Sequence, residues 1–184
     1  EEPNTNQAKI FASFLRSLHL PAPSNAPINP VRGIPLIQRI SSVEERLQRL
    51  KTKTNLITQK IEEIWNIALN APIELEAKWL HGDLHPRNIL VENGAIVGII
   101  DWGDITSGDI ATDLASLWML FSDRHARERV IAEYEPNISE ATLQRAKGWA
   151  VLFGVVLLDT GLVDNPRNAA IGEKILRCIA EDGW

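Results

Sequence analysis

Apolar residues recur with a helical period at the two ends of the chain and bunch into strand-length runs in its middle. Phe11, Phe14, Leu15 and Leu18 share one face of a helix expected over residues 8–18, which Pro21 and Pro23 stop. Val43, Leu47 and Leu50, then Ile57, Ile61, Ile64 and Leu69, mark a second helical region that Thr52 to Asn55 divides and Pro72 ends. Ser42 and Glu45 have the spacing of a capping box, so a helix start is expected at Ser42. Beyond Asp109 the pattern is helical throughout, over about 111–122, 123–134, 139–160 and 168–180, with Trp118, Phe121 and Trp149 in the core.

The middle reads differently. Residues 78–80 and 89–92 are short strand candidates, and Asn93-Gly94 separates Ile89-Leu90-Val91 from Ala95-Ile96-Val97. Asn and Gly tolerate the positive φ of a tight hairpin turn, so these runs predict a β-hairpin. The fold class is therefore α+β, predominantly α, with one small hairpin. Residues 21–36, rich in proline with Asn25, Asn29 and Gly33, are expected as an extended surface loop of the functional or mobile kind.

The hairpin matters because polar residues flank it. Pairing of its strands brings Asn88 and Asp101 together at its outer ends, and Asp83 lies five residues before Asn88. A carboxylate, an amide and a second carboxylate are what phosphoryl transfer from Mg-ATP needs. One carboxylate orients and deprotonates a hydroxyl, while the amide oxygen and the other carboxylate hold Mg²⁺. The step from Asp83 to Asn88 matches the kinase catalytic-loop pattern, with Gly82 in place of its Arg and Asp101-Trp102-Gly103 in place of its DFG. Asp83 is thus the candidate base, and Asn88 and Asp101 the candidate metal ligands. His81 is expected to bond backbone and shape the loop, and His85 to donate to a phosphate oxygen or a carbonyl. Gly108 is expected in a conformation closed to other residues. Asp109 is expected to cap the next helix and Asp113 to sit in its first turn, both as support for the loop, with Asp104 facing substrate.

Composition narrows the partners. A net charge of −5 over 184 residues, without a Lys/Arg cluster in sequence, argues against nucleic acid. The single cysteine, Cys178, excludes a disulfide framework and fits a reducing, cytoplasmic location. No apolar run in the sequence reads as a membrane span, so no membrane partner is expected. A competing reading takes His81, Asp83 and His85 as a 2-His-1-carboxylate metal set. Gly82 and Pro86 oppose the regular strand it needs, and it leaves Asn88 and Asp101 unexplained.

His-Gly-Asp-Leu-His-Pro-x-Asn at 81–88, Ile-Asp-Trp at 100–102 and Gly-Asp-x-x-x-Asp-Leu-Ala at 108–115 resemble the aminoglycoside phosphotransferase family. That family is related to protein kinases and includes choline-kinase-like and macrolide-kinase-like enzymes. Residues 11–21 also resemble the first helix of its C-terminal lobe. The resemblance implies a kinase-like fold in which residues 1–184 are a single domain, the catalytic and substrate-selecting C-terminal lobe. It implies Asp83 as base, Asn88 and Asp101 as Mg²⁺ ligands, and ATP or GTP as phosphate donor. The acceptor would be a hydroxyl of a small molecule, such as an aminoglycoside- or macrolide-type antibiotic or a metabolite, with antibiotic resistance as the associated role. The acids Asp104, Asp123, Glu133 and Glu135 would suit an amino sugar. The family's N-terminal nucleotide lobe has no counterpart before residue 1, and no G-x-G-x-x-G occurs. The chain alone is therefore expected to bind ATP poorly and to transfer phosphate negligibly. A non-catalytic kinase-like binding module is the alternative.

Overall fold

The computed structural model describes residues 1–74, 76–135 and 138–182. Helices α1 (Ala8–Leu18), α2 (Ile40–Lys51) and α3 (Gln59–Asn70) precede four short strands: β1 (Lys78–Leu80), β2 (Ile89–Glu92), β3 (Ala95–Ile99) and β4 (Thr106–Gly108). Helices α4 (Ala111–Leu114), α5 (Ser116–Leu120), α6 (Arg124–Tyr134), α7 (Glu140–Asp164) and α8 (Pro166–Asp182) follow. The fold is α+β and mostly α, as the periodicity predicts.

Helix α7 organises the core. It packs against α8, α3, α4 and α2, while α1 lies on α6. Trp149, Ala150, Val151 and Val155 on α7 are fully buried among Trp65, Trp118, Leu36 and Ile175 in one continuous apolar cluster. The expectation that no segment reaches membrane length does not hold for α7. Glu140–Asp164 is long and apolar enough to cross a membrane, with mean hydropathy 1.6 over its best window. Its composition has another cause, since 67% of that window is buried inside the molecule. A helix covered on most sides by its own chain is apolar most of the way round.

Three other expectations change. Helix α2 begins at Ile40, not Ser42, because a 3₁₀ turn over Leu36–Arg39 runs straight into it. Ser42 therefore lies inside the helix, where its Oγ accepts from Arg46 Nη1 at 2.6 Å instead of capping. The helix expected over 111–122 breaks at Ala115, where Ser116 Oγ donates to the Asp113 carbonyl at 2.6 Å and competes with the ladder. Strand β4, read from sequence as loop, pairs antiparallel with β1, setting Lys78 opposite Gly108 and Leu80 opposite Thr106.

The second sheet is the expected hairpin. Ile89 pairs with Ile99 and Glu92 with Ala95, with an irregularity between Leu90 and Val91. Asn93 (φ 51°) and Gly94 (φ 75°) make its turn. The 21–36 segment is laced to the β1/β4 sheet: Trp79 N–H donates to the Leu20 carbonyl, Ala22 N–H to Ala77, and Ser107 N–H to Pro27, all within 3.0 Å.

Candidate active site

The 81–88 loop is held from below by one carboxylate. Asp113, fully buried, accepts the backbone N–H of His81 on Oδ2 at 2.8 Å and of Gly82 on Oδ1 at 2.9 Å. His19 Nε2 lies 3.3 Å from the same Oδ2, and its Nδ1 is 2.8 Å from the Tyr134 hydroxyl. Burial pushes the Tyr134 phenol well above its ordinary range, with Glu135 and Asp113 adding to the effect. Gly82 turns at φ 85°, and a Cβ there would stand 2.7 Å from the Asp104 carbonyl oxygen. Only glycine fits that turn without strain.

Two histidines shape the loop through fixed tautomers. His81 Nδ1 accepts the Asp83 N–H at 3.3 Å, which leaves Nε2 to donate to the Ile100 carbonyl at 3.0 Å. His85 Nδ1 accepts the Arg87 N–H at 3.1 Å, so its Nε2 faces Asp83 Oδ2, 3.3 Å away, as a donor. Because both His81 nitrogens are engaged and the ring is buried, the His81–Asp83–His85 metal set does not form. Among the described residues no three His, Cys, Asp or Glu side chains are grouped to hold a metal.

Asp83 stands where three side chains converge. Arg32 Nη2 donates to Oδ1 at 3.0 Å, His85 approaches Oδ2, and Asn88 Nδ2 donates to the Asp83 carbonyl at 2.9 Å and to Oδ2 at 3.3 Å. Burial raises the Asp83 pKa, but the opposing pull of His85 and Arg32 prevails, leaving the carboxyl below its ordinary value. Asp83 is therefore an anion at neutral pH.

Asn88 and Asp101 lie at the same end of the hairpin, since Ile100 N–H donates to the Asn88 carbonyl at 2.9 Å and Asp101 follows Ile100. Asp101 is exposed and left-handed, at φ 61° and ψ 62°, a conformation Asp tolerates better than most residues. The Asn88 amide protons are turned to Asp83, so its Oδ1 takes no part in these bonds. An amide oxygen and an exposed carboxylate at one hairpin end are hard donors that fit Mg²⁺. Trp102 follows, tilted over the His81 ring at 4.7 Å between centroids.

The remaining expected residues act nearby. Asp109 Oδ1 accepts the Ala111 N–H at 3.2 Å at the start of α4, and both its oxygens bind Arg145 of α7, with Nε at 2.6 Å and Nη2 at 3.0 Å. Gly108 does not have the positive φ expected of it. It lies against Gly33, where a Cβ would be 2.1 Å from the Gly33 carbonyl oxygen. Asp104 accepts from Asn29 Nδ2 at 3.0 Å. Asp123 caps α6 at one end, while Glu133 and Glu135 lie at the other, about 15 Å along the axis, so the supposed acidic set does not gather. Sequence reading missed Arg32, because contact between residues 32 and 83 leaves no local spacing to read. Its one signal is an Arg beside Gly33 in a proline-rich loop.

A helical body, a two-strand hairpin carrying Asn88 and Asp101, and a preceding loop carrying Asp83 define a kinase-like phosphotransferase fold. The chain belongs to the phosphotransferase enzyme family, APH, whose model matches residues 1–149. It is similar to the aminoglycoside 3'-phosphotransferase of Salmonella typhimurium, 25% identical over 142 residues that make up 76% of this chain and 49% of that protein. An Escherichia coli aminoglycoside 3'-phosphotransferase is 24% identical over 146 residues. The chain thus spans about half the length of these curated relatives. In fold it resembles aminoglycoside phosphotransferase APH(4)-Ia, solved with ADP and hygromycin B, with TM-score 0.62 and 17% identity over all of this chain and 70% of that one. The GDP complex of aminoglycoside 2'-phosphotransferase-IIIa gives TM-score 0.60 at 17% identity, over 98% of this chain and 64% of that one.

Proposed function

We propose that this chain is the catalytic and acceptor-selecting lobe of a nucleotide-dependent phosphotransferase that acts on a small-molecule hydroxyl. The observation that carries the reading is the anionic Asp83 bonded by Asn88, with Asp101 next to Ile100, whose N–H bonds the Asn88 carbonyl across the hairpin. Asp83 Oδ1 or Oδ2 accepts the hydrogen bond of the acceptor hydroxyl and takes its proton as the oxygen attacks. A carboxylate of low basicity suffices, because a loose phosphoryl transition state depends on positioning and charge more than on proton abstraction. Asn88 Oδ1 and the Asp101 carboxylate would hold Mg²⁺, which when bound would offset the charge of the phosphate oxygens of ATP or GTP. His85 Nε2–H is placed to swing from Asp83 to a phosphate oxygen. Leu90, Ile100 and Trp102, exposed beside the hairpin, offer an apolar surface for a base or a covering lobe.

In this reading the 184 residues hold the acceptor and the metal, and the nucleotide is clasped by a lobe of the kind its longer relatives contain. The chain alone then turns over nucleotide negligibly, and a version carrying such a lobe is active in a reducing cytoplasm. The test is an ATP- and GTP-consumption assay across hydroxyl acceptors, run on both forms and on Asp83→Asn. That substitution should lower kcat by about a hundredfold or more, with the metal requirement unchanged. Full activity in Asp83→Asn, or turnover by the 184-residue chain matching the two-lobed form, contradicts the proposal.

A further inference from the structure

Four arginines, Arg32, Arg39, Arg46 and Arg49, lead from Asp83 along α2, and three of them contact side chains of α7. Arg32 binds Asp83, and its guanidinium carbon lies 4.8 Å from the centre of the Phe153 ring on α7. Arg39 closes the 3₁₀ turn that becomes α2, and Arg46 follows seven residues later on the same helical face. Arg46 Nε lies 3.7 Å from Asp159 Oδ2 on α7, beyond hydrogen-bond reach, while Arg49 Nη2 binds that oxygen at 2.6 Å.

This crowding of like charge is not balanced by what surrounds it. Asp83, Asp159 and Glu45 are the acids that face these arginines, and Lys53 adds a further cation. The Nε–H groups of Arg32, Arg39 and Arg46 are all buried without a hydrogen-bond partner. The Arg39 side chain makes no hydrogen bond or ion pair among the described residues. Burial, then the proximity of Arg32 and Arg46, hold its pKa below the ordinary value. Buried donors without partners and mutually repelling guanidinium groups are destabilising unless an anion meets them.

We infer that Arg32, Arg39 and Arg46 form an oxyanion subsite beside Asp83, so that the hydroxyl acceptor carries a carboxylate or phosphate group. The inference rests on the phosphotransferase reading for the word acceptor, and on the arginines alone for the anion. Guanidinium forks match both oxyanions, and the same charge repels a polycationic amino sugar. The acceptor then differs in charge from hygromycin B and gentamicin, the ligands of two solved relatives.

The test is calorimetric titration of the 184-residue chain at fixed ionic strength, without nucleotide, so that its outcome is independent of turnover. The probes are D-glycerate, glycerol 3-phosphate, glycerol and kanamycin, titrated into wild type, Arg39→Gln and Arg177→Gln, the last on the exposed face of α8. The wild-type chain and Arg177→Gln should bind one or both oxyanions saturably, and the tighter of the two assigns the group. Arg39→Gln should bind it about tenfold or more weakly, as loss of a charge-assisted bond requires. Glycerol and kanamycin should not saturate. Arg39→Gln should unfold at the same denaturant concentration as wild type or a higher one, since it loses no partner and relieves repulsion. Absence of saturable oxyanion binding by wild type, equal weakening in both variants, or kanamycin binding that glycerol 3-phosphate displaces overturns the inference. Oxyanion binding without phosphotransfer in the two-lobed form would instead count against the proposed activity alone.

Discussion

Asp113 shows how one buried carboxylate sets the geometry of the candidate site above it. Its oxygens bind the N–H groups of His81 and Gly82, and so fix the loop two residues before Asp83. Truncation leaves two buried donors and His19 without their acceptor. Asp113→Ala should therefore cost about 2–4 kcal/mol in urea unfolding. A loss under about 0.5 kcal/mol, the range of ordinary surface substitutions, contradicts this account. Asp83, Asn88 and Asp101 were legible in sequence because spacing and a hairpin turn place them by local rules. Arg32, His19 and Arg145 were not, since their partners Asp83, Asp113 and Asp109 lie 51, 94 and 36 residues away and only the tertiary fold brings them together.

Among the elements, the helices were read nearly whole and their ends less well, and caps show why. Ser139 caps α7, with its Oγ accepting the Thr142 N–H at 3.1 Å, whereas Ser42 resembles a cap in sequence but lies within α2. A 3₁₀ turn feeding a helix supplies carbonyls for its first N–H groups, and nothing in a four-residue motif shows that such a turn precedes it. Ser139→Ala should lower stability by about 1 kcal/mol and Ser42→Ala by less than about 0.5 kcal/mol, compared by the same denaturation. The reverse order would restore the capping box. Strand β4 escaped notice because it is three residues long and pairs with β1, which ends 26 residues earlier. Its Gly108 signals a close backbone approach, and one sequence alone does not distinguish that from a turn.

Across the whole molecule, carboxylates tie distant parts together and make stability depend on pH. Asp83 and Asp182 are raised by burial but lowered further by their partners, His85 and Arg32 for the first, Arg127 and Trp118 for the second. Hydrogen bonding to Arg49 is the largest influence on Asp159 and lowers it. Each group has a folded pKa below its unfolded value, so its contribution is full above the ordinary Asp range near about 4 and fades as pH falls through the folded values. Denaturation midpoints should hold steady from about pH 7 to 5 and drop below about pH 4, with a shallower drop in Asp159→Asn. An unchanged acid slope in that variant rules out the Arg49–Asp159 contribution. The crossing of Gly33 on Gly108 has a consequence at the same scale. Asp109 N–H donates to the Gly33 carbonyl at 2.9 Å and Gly33 N–H donates to Thr112 Oγ1 at 3.2 Å, so at Gly33 the 21–36 segment is fastened through its own main chain. Fastened that way, it is a strap whose exposed side chains are interchangeable, while Asn29 and Arg32 stay tied to Asp104 and Asp83. Ile28, 76% exposed, can be replaced without loosening Arg32 from Asp83, whereas Gly108→Ala should unseat both and lower the thermal midpoint by several degrees. The exposed side chains of the strap can then be rewritten to test the proposed function, with Asp83, Asn88 and Asp101 left in place.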